Sequence, residues 1–434
     1  MPSHHWLPFT QMSAFDANER TFVAGSGTRL TDARGRSVFD AISSVWVTVH
    51  GHGHPAIVEA IARQAARLDH ATALGATNPV AEELADRLAA ATGMDYVFFS
   101  GDGASAIEAS LKMAIQFWRH AGQPERTRIA RLRASYHGDT AGAMSVSDIA
   151  VFKANFGALC FESVEAHDLG DVAARDDVAA IVVEPLVQAA AGMRLVPPAA
   201  YAALRRDRRA PGTGGDGGPL LIVDEIATGF GRTGAMFAHE RLGIRPDLLC
   251  LGKGITGGTL ALSAVLATER IYDAFLGAQA DARHFFHGHS YAGNPIACAA
   301  AIASLEVFAA EGTLDRAGRL ERVLAAALEP LRAHPLVVDV RRAGLMAGVE
   351  LDGERIAAGG APTSGWRIAN ELYADGHFTR PIGSVVQLVP PLSSSQGELE
   401  AFCAALARRL DAAAAESAAG PGSVRLDSPS LSPA

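Results

Sequence analysis

Lys253 follows the apolar run Leu248-Leu249-Cys250-Leu251-Gly252 and precedes Gly254-Ile255-Thr256-Gly257-Gly258. A second run of the same design, Leu220-Leu221-Ile222-Val223, ends on Asp224 and Glu225. An amine and a carboxylate, each at the end of a buried strand, are the groups that pyridoxal-phosphate (PLP) chemistry requires. The lysine condenses with the cofactor aldehyde, and the aspartate pairs with the pyridinium nitrogen and keeps it protonated, so that the ring accepts electrons. A buried Lys or Asp without a partner is costly, so both call for partners or a function. On this pair alone a second reading stands beside the first: two salt-bridged residues at strand mouths.

Further candidates sit in glycine-rich turns. Gly101-Asp102-Gly103-Ala104-Ser105 follows a strand-like run and opens a helical one, and free N–H groups at a helix N-terminus suit a phosphate; such turns also arise for steric reasons alone. In Tyr136-His137-Gly138-Asp139 the aromatic is placed to stack on a cofactor ring, with Asp139 beside a substrate; the alternative is a turn with an N-cap Asp. In the stretch from Asp224 to Gly234, Ile226 is placed to pack on a ring face and Arg232 to meet an anionic or polar substrate group. Arg380, before Pro381-Ile382-Gly383, suits a carboxylate through its forked donors, or else is a surface arginine. The alternating histidines of His50-Gly51-His52-Gly53-His54 and His287-Gly288-His289-Ser290-Tyr291 invite a metal reading. No Cys or carboxylate clusters beside them in sequence and the glycines indicate tight turns, so no metal is expected.

The elements that must position these groups are legible as alternating apolar strands and helical runs. Strands are expected at Tyr96–Ser100, Arg128–Arg133, Ala179–Glu184, Pro219–Asp224, Leu248–Gly252 and Ala261–Ala267. A helix is expected over Ala104–Arg119, with Ile107, Leu111, Ile115 and Trp118 on its buried face. This alternation implies an α/β fold with a mostly parallel sheet covered on both faces, and ligands in such sheets bind beyond the C-terminal strand ends. The polar punctuation at 101–103, 136–139, Glu184, Asp224 and Lys253 falls at those ends. Later, strands at Val337–Val340, Leu345–Leu351 and Val385–Val389 with helices at Gly365–Asp375 and Gln396–Ala415 imply a smaller α+β domain. The N-terminal segment, with strands near Thr28–Leu30 and Val38–Ala41, is expected to join it. The division is then 1–60 N-terminal segment, 61–315 large domain, 316–415 small domain and 416–434 a disordered tail rich in Ser, Pro, Gly and Ala. Arg205–Gly218 reads as a solvated loop.

The 434 residues suffice for a large core, and 49% hydrophobic with 20% charged residues is an ordinary globular balance. A net charge of −9 argues against nucleic acid or anionic membrane as partner. The four cysteines are far apart and read as buried apolar residues in a reducing compartment. The N-terminus does not read as a signal peptide, and the longest uncharged apolar stretch, Gly254–Thr268, is too short and glycine-rich to span a bilayer. A cytoplasmic protein is expected.

The runs LLIVDEIATGFGRTG (220–234), LCLGKGITGG (249–258) and HGHSYAGNPIACAAA (287–301) resemble the class III PLP-dependent aminotransferases. Further matches are HHWLPFTQM (4–12), SSVWVTVHGHGHP (43–55), ASLKMAIQFW (109–118), SYHGDTAGAMSV (135–146) and EPLVQAAAGM (184–193), so that the resemblance covers about residues 4–410. HHWLPFTQM and SYHGDTAGAMSV point to the branch that converts 8-amino-7-oxononanoate to 7,8-diaminononanoate in biotin biosynthesis. The resemblance implies a fold-type I homodimer with PLP as cofactor and active sites at the interface. It implies Lys253 as the lysine that carries the cofactor, Asp224 on the ring nitrogen, and Tyr136 and Ile226 on opposite ring faces. Gly103 and Ala104 would give N–H groups to the phosphate, joined by the partner subunit's Ser290. Trp46, Asp139, Arg232, Gly288 and Arg380 would line the substrate site, Arg380 taking the keto-acid carboxylate. A donor amine would displace Lys253, which then moves a proton from the donor carbon to the cofactor, and the keto acid would run the steps backwards.

Three positions depart from the branch's pattern. Phe9 and Val45 stand where the adenosylmethionine-using type carries Tyr and Trp, removing a phenol and a flat apolar wall, so the donor is either adenosylmethionine or lysine. Asp102 stands beside the phosphate loop where Ser is usual, and is expected to point away or to cap the following helix. Rival readings are an ω-amino acid:pyruvate aminotransferase, a glutamate-1-semialdehyde-type aminomutase and a non-catalytic PLP-binding regulator.

Overall fold

The computed structural model describes residues 4–15, 20–205, 218–356 and 361–419. Its centre is a seven-stranded sheet built from β1 (Tyr96–Ser100), β2 (Arg128–Leu132), β3 (Val164–Ala166), β4 (Val178–Val183), β5 (Leu220–Asp224), β6 (Leu248–Leu251) and β7 (Ser263–Ala267), in the order β1-β7-β6-β5-β4-β2-β3. Strand β7 is antiparallel to both neighbours and every other pairing is parallel. Every residue of β4 to β7 is buried, as near-continuous apolar strands require. Their side chains alternate between two cores. Leu221, Val223, Leu249 and Leu251 pack with the helices Pro79–Thr92 and Pro295–Ala310 on one face, while Leu220, Ile222, Leu248 and Cys250 pack against α1 (Gly103–His120) on the other. The edge strand β3, three residues long, gave no legible signal in the sequence.

Helix α1 starts where Asp102 Oδ1 accepts from Ser105 N at 2.9 Å and ends with Arg119 and His120, favourable beside the carbonyl end of the dipole. Ile107, Leu111 and Trp118 are buried as expected, but Ile115 is 37% exposed. At 100° per residue it lies about 80° from Ile107, on the flank of the buried face, and Ala106, Ser110 and Met113 fill that face instead.

An early segment of the chain meets a late one. Phe22–Ser26, Arg29–Asp32 and Ser37–Asp40 form a meander whose last strand pairs in parallel with His377–Phe378. Val337–Ala343, Met346–Leu351 and Val385–Leu388 form a separate antiparallel sheet. The helix expected from Gly365 spans Ala361–Ala374, and the last helix runs from Gln396 to Ala419, past the expected start of a loose tail at 416. Residues 420–434 and all but the ends of the Arg205–Gly218 loop lie outside the described residues. Among the described residues no single helix is long and apolar enough to cross a membrane. Cys250, Cys298 and Cys403 are buried thiols, whereas Cys160, expected to be buried, is partly exposed.

The histidines of residues 50–54 go to three different partners: His50 Nε2 to Ser304 Oγ at 3.0 Å, His52 Nε2 to Asp40 Oδ2 at 2.8 Å and His54 Nε2 to Glu311 Oε1 at 2.9 Å. No group of three metal-capable side chains occurs among the described residues. Burial, then the nearby His54, brings His50 down to about 4 from its ordinary 6.5. A depressed imidazole contributes stability above its unfolded pKa and loses it as the pH falls toward its folded one. His50→Gln is therefore expected to remove up to about 3 kcal/mol of the stability lost between pH 6.5 and 4. Denaturant midpoints at the two pH values check this; an unchanged difference between them would contradict it.

Candidate active site

The strand ends converge on a cavity of about 420 Å³ lined by Trp46, Asp102, Gly103, Ala104, Tyr136, Asp139, Glu184, Asp224, Ile226 and Lys253, among others. Apart from Trp46, which arrives from the N-terminal segment, they come from five turns at the C-terminal edge of the sheet, those after β1, β2, β4, β5 and β6. Lys253 opens a short 3₁₀ turn after β6 with φ +42°, a left-handed conformation rare for a side-chain-bearing residue. Its Nζ lies 4.7 Å from the centre of the Trp46 ring. Burial pulls the Lys253 amine below the ordinary lysine pKa, opposed by Asp224 and Glu184.

Asp224 ends β5. Its Oδ2 is 2.7 Å from His137 Nδ1 and its Oδ1 accepts from Ile226 N at 3.0 Å, so both carboxylate oxygens are oriented. The next carboxyl, Glu184 at the end of β4, accepts from Tyr136 N at 3.0 Å and Ala189 N at 3.2 Å. Burial pushes Glu184 up to about 7, with His137 opposing and Asp224 adding to the shift. Tyr136 is raised by burial and then by Asp139 beside its hydroxyl. Gly138 has φ +133°, and a Cβ there would lie 2.6 Å from that of Ala104. Glycine thus lets the Tyr136 turn seat directly against the N-terminus of α1.

Trp46 owes its position to an unusual backbone. Ser43, Ser44, Val45 and Trp46 all have positive φ, 49°, 48°, 66° and 70°. Such a turn costs roughly 1–2 kcal/mol per residue and persists only where surroundings hold it. Asp40 does much of this, accepting from Ser44 N (3.1 Å), Ser44 Oγ (2.9 Å) and the His52 ring (2.8 Å).

Arg232 requires a correction. It was expected in the substrate site, but it is 1% exposed and does not line the cavity. Its guanidinium donates to Ser43 Oγ (3.2 Å), Pro390 O (2.7 Å) and Thr48 O (2.8 Å). Burial pulls its pKa down to about 10. The glycine-rich turn after Asp224 carries it away from the cavity into the base of the Trp46 turn. Arg232→Met is therefore expected to cost roughly 3–5 kcal/mol of stability by leaving these oxygens unpaired. A denaturant midpoint near the parent's, with a raised KM, would return Arg232 to substrate contact.

Gly288 and Ser290 also stay outside the cavity, on an exposed stretch of the same chain. Val45 is 38% exposed and does not line it either. Phe9 and Arg380 lie in the shell around Tyr136: the Arg380 guanidinium is 5.7 Å from the Phe9 ring centre, Phe9 meets Phe152 at 5.2 Å, and Phe152 meets Tyr136 at 5.8 Å. Burial lowers the Arg380 pKa, with Tyr136 opposing. Asp102, the unusual neighbour of the phosphate turn, spends its carboxylate on the Ser105 N–H and hydroxyl. His137 and Glu184 belong to the site although neither was assigned a role from the sequence; the sole signal was their place at strand ends.

The donor set fits PLP. An amine in a partly apolar cavity faces an oriented carboxylate, an aromatic and an isoleucine line the walls, and the first turn of an 18-residue helix opens on the same space.

Comparison with known proteins agrees with this geometry. The family model described as aminotransferase class-III matches residues 14–410. The adenosylmethionine-8-amino-7-oxononanoate aminotransferase of Synechococcus elongatus is 44% identical, over 95% of this chain and 100% of that protein. The crystal structure of the enzyme of that name from Methanocaldococcus jannaschii superposes with a TM-score of 0.86 at 34% identity, covering 94% of this chain and 97% of that one. An amine transaminase from an uncultivated Pseudomonas species, in PLP-bound form, gives a TM-score of 0.83 at 31% identity, covering 95% and 99%.

Proposed function

The chain belongs to the class III aminotransferases, and from that premise we propose that it aminates 8-amino-7-oxononanoate to 7,8-diaminononanoate, the biotin-pathway reaction. The cofactor is PLP. The relatives' names support the substrate. The observation that carries it in this chain is Arg380, a half-buried cation beside the Phe9 ring and Tyr136 for which, among the described residues, no carboxylate partner occurs. A keto acid whose carboxylate lies a chain's length from its reacting carbonyl needs a cation set back from the lysine.

Bound in the cavity, the cofactor supplies an electron-poor ring that stabilises negative charge at the substrate carbon. Gly103 N and Ala104 N hold its phosphate at the helix terminus. Asp224 holds a proton at the ring nitrogen, kept in line by His137 and the Ile226 N–H. Tyr136 and Ile226 wall the ring. Lys253 Nζ, made a better base at neutral pH by burial, takes the proton from the donor carbon and returns it across the site. Trp46 covers the amine and keeps water from it, and Asp139 orients the Tyr136 hydroxyl. We place the partner subunit's Ser290 at the phosphate of a homodimer, and divide the chain at 60, 315 and 415; the pairing of Ser37–Asp40 with His377–Phe378 supports joining the N-terminal segment to the small domain.

The test is a donor comparison. With 8-amino-7-oxononanoate as acceptor, adenosylmethionine, lysine and alanine are offered separately to the PLP-loaded protein, and 7,8-diaminononanoate is detected by mass. Product with adenosylmethionine or lysine supports the reading and identifies the donor; with lysine alone, Phe9 and Val45 become the markers of donor choice. No diamine from any donor, beside conversion of an ω-amine and pyruvate to the carbonyl compound and alanine, moves the protein to the ω-aminotransferases.

A further inference from the structure

Gln387 lies in the strand Val385–Leu388, where all four residues are buried. A side-chain amide in such a strand must find its partners inside the protein. Gln387 finds them in two residues of the site. Its Oε1 accepts from Trp46 Nε1 at 3.0 Å, and its Nε2 donates to the Arg380 carbonyl oxygen at 2.7 Å. The indole only donates and the carbonyl only accepts, so the amide has one orientation. Its main chain is equally fixed: Gln387 O accepts from Thr379 Oγ1 at 2.6 Å, and the residue pairs with Gly348 across the sheet.

The two contacts tie a residue that lines the cavity to the backbone of one in the shell around it. The Trp46 ring stands 4.7 Å from Lys253 Nζ, while the Arg380 guanidinium lies out beside the Phe9 ring. The arginine side chain is long, so the place its charge can reach depends on where its backbone is anchored. Gln387 provides that anchor, and the same amide fixes the wall over the lysine.

We propose that Gln387 is a positioning residue for carboxylate recognition: it sets the separation between the Arg380 arm and the Trp46 wall, and so fits the site to an acid whose carboxylate and reacting carbon are a set distance apart. This rests on the reading of Arg380 as the carboxylate-binding group.

The experiment compares Gln387→Met, Trp46→Phe and Arg380→Met with the parent, each as PLP-loaded full-length chain. Calorimetry measures binding of nonanoate, a monocarboxylate of the acceptor's chain length with no reacting group. Steady-state kinetics separate kcat from KM for 8-amino-7-oxononanoate and for the donor. Gln387→Met is expected to weaken nonanoate and raise the acceptor KM by about tenfold, with kcat at saturating substrate within about threefold. Trp46→Phe, which keeps a ring but loses the N–H, is expected to move both in the same sense by about threefold. Arg380→Met is expected to lose more than either. If Arg380→Met loses nonanoate while Gln387→Met binds it like the parent, the positioning role falls and the Arg380 reading stands. If Arg380→Met also binds it like the parent, both fall. A purely structural Gln387 would lower the melting temperature and leave the nonanoate Kd and the KM values alone. Should Gln387→Met not fold, unchanged nonanoate binding and acceptor KM in Trp46→Phe overturn the proposal.

Discussion

Replacing Lys253 by Ala is expected to lower transamination by about 10⁴-fold or more, because in the proposed reaction one side chain serves both as covalent anchor and as the base that moves the substrate proton. The fold is expected to survive. Lys253 begins a short turn whose backbone bonds, Ile255 N to Gly252 O and Gly257 N to Gly254 O, do not involve its side chain. PLP still binds, held by the Gly103 turn and Asp224, but borohydride treatment no longer fixes it to the chain. A small primary amine added to the solution recovers part of the rate, since it fits the vacated volume and supplies a base. Turnover within tenfold of the parent, or cofactor still fixed by borohydride at another lysine, would remove Lys253 from the centre of the account.

Asp224→Asn is the second large effect. Asparagine keeps the shape and the bond to the Ile226 N–H but cannot hold a proton at the ring nitrogen by charge. A loss of about 10²–10³-fold in kcat is expected, the range for removing one preorganised electrostatic group. It also leaves His137 Nδ1 facing an amide where the parent offers a carboxylate oxygen at 2.7 Å. His137→Phe removes the partner and keeps the carboxylate, so its loss should be smaller than that of Asp224→Asn. Rates measured on both variants at saturating cofactor decide the order. A kcat for Asp224→Asn within fivefold of the parent would mean that the carboxylate serves the fold and not the chemistry.

The parts of the site carried by continuous sequence were legible. Strands β4 to β6 are unbroken apolar runs, and a charge at the end of each marks the catalytic edge of a parallel sheet, so Glu184, Asp224 and Lys253 were placed by pattern alone. What needed the structure were contacts between distant segments. His137 and Asp224 are 87 residues apart, and Gln387 reaches Trp46 across 341. Arg232 was misplaced because eight residues of chain from Asp224 suggested the cavity, while the turn through Gly229 and Gly231 sends its side chain to Ser43, Thr48 and Pro390. The left-handed turn at Ser43–Trp46 was hidden for another reason. It has no glycine or asparagine to announce positive φ, and it is stabilised by Asp40 and Arg232 rather than by local preference.

The most direct test of the central claim is a choice between acceptors. The PLP-loaded protein is first converted to its amine form by an excess of the donor it accepts and freed of that donor. It is then mixed with equal amounts of 8-amino-7-oxononanoate and pyruvate, and the products are read by mass. The account predicts 7,8-diaminononanoate as the main product, at least tenfold over alanine, and loss of that preference in Arg380→Met. Alanine as the main product, with the preference unchanged by Arg380→Met, would contradict it and assign the cavity to a general amine:pyruvate reaction.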